Sequence, residues 1–117
     1  MTDRMVTDLG QRIKQVRLDA GLSQRDLAQR VGVSFPHISK IEAGREPAST
    51  ELLTRIAEAV GINPDELVLL ADRLPDELRA VVVAKADLAP QFLRKWQQGG
   101  ISDEAVRALI ENGEQQS

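Results

Sequence analysis

Apolar positions in this chain recur at spacings of three and four, and the period-two alternation of half-buried strands is essentially missing. Leu9, Ile13 and Val16 form one stripe and predict a first helix over about residues 8–20, ended by Gly21. Ser23, with Asp26 three residues later, opens a second helix whose inner face is Leu27, Ala28 and Val31; Gly32 stops it. Ser34 caps a third helix, in which Pro36 is tolerated because first-turn amides have no partner. Ile38 and Ile41 face inward there, and Gly44 closes it. Ser49 caps a fourth helix with Leu52, Leu53, Ile56, Ala57 and Val60 inward, ended by Gly61. Asn63, Pro64 and Glu66 restart the chain as a fifth helix reaching about Ala71. Beyond Leu74 three further helices are expected: one over residues 76–85, one opened by Pro90 and broken at Gly99-Gly100, and one capped by Ser102. The paired acids Asp76-Glu77 and Asp103-Glu104 stand at helix starts, where the helix dipole favours them, and need no catalytic reading.

Composition narrows the class. The 117 residues suit one small domain plus an appendage, and 42% apolar content is enough for a core. With no cysteine there is neither a disulfide framework nor a thiolate metal site. His37 is the single histidine, a poor metal ligand without companions and a poor catalytic base without a nucleophile. No cofactor, no metal and no enzymatic activity are expected. No apolar run approaches the roughly 18–20 residues that cross a bilayer, and residues 1–6 lack a signal-like apolar core. The expectation is a cytoplasmic protein without membrane contact, in a bacterial, phage or plasmid setting.

The net charge of −3 is unevenly spread. Residues 1–46 hold eight Lys/Arg against six Asp/Glu, while residues 47–117 hold seven against twelve. A nucleic-acid surface would therefore be small and local, with the acidic remainder discouraging sequence-blind adhesion.

Ser23 to Gly44 reads as two short helices joined by a tight turn at Val31-Gly32-Val33. Such a turn sets helices at about 90–120°, so that one lies along a phosphate backbone while the next enters a major groove about 12 Å wide. The third helix then presents Phe35, Pro36, His37, Ser39 and Lys40 outward. The whole stretch from Leu9 to Ala71 resembles the Xre/Cro/phage-repressor family of helix-turn-helix transcription regulators. The matching text is Leu9-Gly10-Gln11-Arg12-Ile13-Lys14 through Arg17, Gly21-Leu22-Ser23-Gln24, Leu27-Ala28, Val31-Gly32-Val33, Ile38-Ser39-Lys40-Ile41-Glu42-Ala43-Gly44, and Pro47 through Gly61-Ile62.

The resemblance implies an all-α protein: a five-helix lambda-repressor-like DNA-binding domain over residues 7–72, and a small helical dimerisation or partner-binding region over residues 75–113. It implies that Gln24 bonds a phosphate or the outermost base edge, and that Phe35, Pro36, His37 and Lys40 occupy base-reading positions. Ser34 and Ser39 would lie near the backbone. Arg25 would touch phosphate, and Lys40 and Arg45, which on a generic helix would be solvated charges, are assigned to the DNA surface within this motif. Arg17 and Glu42 match a pair that forms a partly buried salt bridge in relatives. The sequence departs from the family where Phe35-Pro36 replace common polar side chains; Phe35 is open both to a thymine methyl contact and to partial burial. In the C-terminal part, Phe92, Leu93, Trp96, Val106, Leu109 and Ile110 are candidates for a satellite core, for a homodimer interface, or for both. The function implied is a sequence-specific regulator of transcription, a repressor binding double-stranded DNA at a palindromic operator as a homodimer. The rival reading is an antitoxin or adaptor whose C-terminal helices hold a partner protein, with DNA binding serving autoregulation.

Overall fold

The described residues form eight helices in the computed structural model, which describes residues 2–116, with side chains for residues 8–113, and serine or asparagine caps open five of them. The side chains of residues 1–6, read above for a signal-like core, lie outside that range. The helices are α1 (Thr2–Asp19), α2 (Gln24–Val31), α3 (Phe35–Glu42), α4 (Thr50–Val60), α5 (Pro64–Leu70), α6 (Asp76–Ala84), α7 (Ala89–Gln97) and α8 (Asp103–Gln116). No strand occurs among the described residues. The chain parts into two units, Met1–Pro75 and Asp76–Ser117.

The caps work as their chemistry dictates. Ser23 and Asp26 close a reciprocal box: Asp26 N–H donates to Ser23 Oγ and Ser23 N–H to Asp26 Oδ2, each at 3.0 Å. Hydrogen bonding from Ser23, its backbone N–H foremost and its side chain after it, holds the Asp26 carboxyl below the usual carboxylate range. Ser49 and Ser102 accept from Leu52 and Ala105 in the same way. Asn63 Oδ1 accepts from Asp65 N–H, but Glu66 does not complete a box. Its carboxylate instead takes two bonds from the Arg12 guanidinium, at 2.6 and 3.2 Å, and ties α5 to α1. Two expected boundaries move. The first helix starts at Thr2, since nothing between residues 2 and 8 breaks it, and α7 starts one residue before Pro90.

In the first unit α1 to α5 enclose one apolar cluster. Ile13, Leu27, Ile38, Leu53, Ile56, Ala57 and Leu67 lose all contact with solvent, and Leu9, Val31, Ile41 and Leu52 almost all. Burying each large side chain is worth about 1.5–3 kcal/mol, so the inner faces of the short helices α2 and α3 hold them in place where propensity alone would not. Arg55 of α4 supplements this by donating to the Val31 carbonyl at 2.9 Å, filling an orphan acceptor at the C-terminus of α2.

The tightest constraint is between α1 and α3. A Cβ on Gly10 would stand 2.4 Å from the Glu42 carbonyl oxygen and 2.8 Å from that of Ile41. Both obstacles are main chain at the end of α3, and neither can swing aside. Gly10→Ala is therefore expected to destabilise the protein by about 1–3 kcal/mol through overpacking, although alanine is the better helix former. Urea unfolding followed by circular dichroism checks this, and unchanged or increased stability would contradict the close contact.

The second unit differs in kind. None of the residues in α6 and α7 is buried. Leu78, Val81, Val82, Val83, Leu88, Leu93, Leu109 and Ile110 are all substantially exposed. Val81, Val82, Lys85, Leu88, Ala89 and Phe92 line an apolar groove of about 280 Å³.

Candidate nucleic-acid interface

The helix pair α2–α3 is mounted on a buried charge cluster. Arg17, near the end of α1, reaches Glu42 at the end of α3 with two bonds, Nε to Oε2 at 2.7 Å and Nη2 to Oε1 at 3.0 Å. The two side chains are only 7% and 4% exposed. Arg17 Nη1 also donates to the Leu22 carbonyl, and Gln24 Nε2 donates to Glu42 Oε1 at 3.0 Å. One fork thus fixes the end of α1, the turn before α2, the first residue of α2 and the end of α3. Gln24, assigned to DNA by resemblance, has its amide nitrogen engaged within the protein.

On the outer surface the expected residues fall into distinct settings. Pro36, Lys40 and Arg45 are exposed, and Ser39 is half-buried. Ser34 is the N-cap of α3, its hydroxyl accepting from His37 N–H at 3.3 Å. Phe35 packs against the core from its edge, and the exposed Arg25 guanidinium lies 4.5 Å above its ring centroid. That cation–π contact braces the first residue of α3 against α2. The outward set named from sequence therefore loses part of Phe35 to the interior.

Sequence reading passed over Glu46. The third helix ends at Glu42 with Ala43 as its C-cap, and the φ of 76° at Gly44 then turns the backbone left-handed. Arg45 N–H then returns to the Lys40 carbonyl at 2.8 Å, and the chain doubles back along α3. Glu46 is carried to His37 Nδ1, at 2.7 Å from Oε2, and to Lys40 Nζ, at 3.5 Å from Oε1. The bond to His37, and secondarily the Lys40 charge, hold the Glu46 carboxyl below the usual carboxylate range despite some burial. No helical period links residues 37, 40 and 46, so the only sequence sign was a glycine with an acid two residues on.

In the second unit the six candidate residues are not gathered into an interior. Phe92, Leu93, Leu109 and Ile110 are exposed, and Trp96 and Val106 half-buried. Phe92 and Trp96 form a tilted ring pair with centroids 5.8 Å apart. Trp96 Nε1 donates to Asp103 Oδ1 at 2.7 Å, a role for Asp103 beyond its place at a helix start. Among the described residues no group of acids and histidine is arranged to hold a metal ion, and no helix is long and apolar enough to cross a membrane.

Two outcomes follow from the charged groups. Glu42→Gln leaves the Arg17 guanidinium buried without its counter-charge, and should cost about 3–5 kcal/mol in urea unfolding; a cost below about 1 kcal/mol would mean that water reaches the pair. A carboxyl depressed on folding stabilises the fold when ionised, and loses that contribution as pH falls through its folded value. The stability difference between wild type and Glu46→Ala should thus be present at about pH 6 and disappear towards about pH 3. A difference that grew on acidification would have the wrong sign for this arrangement.

Comparison with known proteins agrees with the geometry. A family model described as helix-turn-helix matches residues 13–67. A transcriptional regulator in the ATPase CF(0) region of Rhodospirillum rubrum is 44% identical over 57 residues, 49% of this chain and 53% of that protein. The chain thus spans about half the length of that relative. The HTH-type transcriptional regulator DdrOP3 of Deinococcus deserti is 30% identical over 96 residues, 75% of this chain and 74% of that one. Among solved structures, the restriction-modification controller protein C.AhdI from Aeromonas hydrophila superposes with a TM-score of 0.53 at 31% identity, over 56% of this chain and 94% of its own. With the α2–α3 pair, its buried mount and these relatives in agreement, the chain belongs to the helix-turn-helix family of transcriptional regulators.

Proposed function

We propose that this protein is a sequence-specific DNA-binding regulator, and that it reads the major groove with α3. The observation that carries the reading is the division of that helix. Ile38 and Ile41 are sealed in the core and Glu42 is held by Arg17, while Pro36 and Lys40 face solvent. A helix so held presents its outer face in one orientation, which base readout requires. Lys40 and His37 are the base-edge candidates. Arg25, Ser39 and Arg45 border them as backbone contacts, and Gln24 and Ser34 contribute mainly through the helix ends they fix. Residues 7–72 would form the DNA-binding unit.

Residues 75–113 would serve dimerisation. A short helical segment without an interior of its own gains stability by burying its apolar faces elsewhere, and a second copy offers the same faces. Two copies would place their third helices in successive major grooves about 34 Å apart, on a palindromic operator. Repression follows if the pair occupies duplex that polymerase needs. The exposed face of α6 and α7 also favours a second reading, in which a different protein covers it and the chain acts as an antitoxin or adaptor.

The test is selection of bound duplexes from a random library, with the winner's affinity followed against salt. A palindromic winner well above random DNA is expected; sequence-blind binding with only a salt slope would remove the regulator reading. Lys40→Ala should weaken the selected site by about 1–3 kcal/mol, and unchanged affinity would take Lys40 out of the readout. Sedimentation should give a dimer that Leu93→Ser shifts towards monomer. A wild-type monomer at all concentrations would move the partner-protein reading ahead.

A further inference from the structure

Glu46 does more than neutralise charge on α3, because of what it must do to the imidazole of His37. An ionised carboxylate has no proton to give, and Glu46 is held below the usual carboxylate range. In the contact of 2.7 Å between Oε2 and Nδ1, His37 is therefore the donor. A neutral imidazole carries one N–H, so its other nitrogen, Nε2, is left as a lone-pair acceptor. Nε2 has no hydrogen-bond partner among the described residues, and it is not a buried orphan. The side chain is 33% exposed, on the face of α3 that also carries Lys40.

We propose that Glu46 is a positioning residue for sequence readout: in the neutral imidazole it fixes hydrogen on Nδ1 and leaves Nε2 as the acceptor, so that in this form His37 selects a base presenting an amino group in the major groove. On the strand that His37 faces, those bases are adenine, through N6, and cytosine, through N4; guanine and thymine offer acceptors at the corresponding edge and are disfavoured. Without the lock, the alternative tautomer with hydrogen on Nε2 is free to donate to guanine N7 or O6. This inference rests on the DNA-reading assignment of α3 and adds the chemistry of one contact to it.

Two measurements on the full chain test it, both at about pH 8.5, above the ordinary imidazole range. Because His37 is the only histidine, a long-range proton–nitrogen correlation spectrum contains one imidazole. Wild type should show hydrogen on Nδ1, and Glu46→Ala a mixture or a predominance of hydrogen on Nε2, with unchanged helical content. Hydrogen on Nε2 in wild type, or the same tautomer in both proteins, overturns the proposal. The second measurement is duplex selection with wild type, His37→Ala and Glu46→Ala. The operator position whose preference His37→Ala abolishes should carry adenine or cytosine in wild type. In Glu46→Ala its preference over guanine should fall by about threefold to tenfold, the scale of one hydrogen bond. Loss of a carboxylate raises affinity for all duplexes together, so the preference ratio at that one position is the readout. If no position depends on His37, or if its preference is the same in Glu46→Ala, the proposal fails while the DNA-reading assignment stands. If wild type selects no motif at all, both fall.

Discussion

The Arg17–Glu42 pair is the interaction on which the rest of the first unit depends. A guanidinium and a carboxylate removed from water cost several kcal/mol each before their attraction and hydrogen bonds offset it. The offset here requires every donor in its place: two on Glu42, one on the Leu22 carbonyl, and Gln24 as an added donor to the acid. Replacing the pair by apolar side chains would save the desolvation cost but lose the geometry. What it supplies is register, because four points on three helices and a turn must coincide for the charge to be satisfied. The apolar cluster gives most of the stability, and the ion pair selects one arrangement of α3 among those the cluster would tolerate.

Around that anchor the outer face of α3 is braced from both ends. Arg25 lies on Phe35 at the start, and Glu46 returns to His37 and Lys40 from beyond the end. The Glu46 brace uses charge that a surface inspection would count as free for phosphate, whereas Arg25 keeps its charge over the Phe35 ring. The local positive charge around the candidate interface is consequently smaller than the eight Lys/Arg of residues 1–46 suggest. On the DNA-reading assignment proposed above, affinity would lean on contacts to base edges more than on bulk attraction, which fits a chain with net charge −3.

Much of this was legible in the residues. The stripe Leu9, Ile13, Val16 and the Ser23–Asp26 box are local patterns, and local patterns are what periodicity and capping rules read. The Arg17–Glu42 pair spans 25 positions and became visible only through the resemblance to a known family. Glu46 stayed hidden because its reach depends on the left-handed turn at Gly44, and no helical wheel extends through a turn. Phe35 was read as open to both core and solvent and takes an intermediate place, because a residue at a helix start has no fixed inner face. The link from Trp96 to Asp103 crosses the Gly99-Gly100 break and was equally out of reach of a pattern. Phe92, Leu93 and Trp96 of α7 were legible as apolar anchors, but the sequence does not say what they face, and the apolar side chains of α6 were not singled out.

Gly10 shows how the mount and the reading surface are separated. At that point α1 meets α3 main chain to main chain, with no side chain between them to be swollen, shrunk or rotated. The spacing of the two helices is then a property of covalent geometry, insensitive to which residues occupy the solvent face of α3. Side chains at positions 36, 39 and 40 can be exchanged without tilting the helix that bears them. If α3 reads DNA as proposed, a lineage could drift from one recognition sequence to another through those positions while the α1–α3 spacing is kept, and an engineer redirecting the protein would leave Gly10 untouched and vary only the outward face.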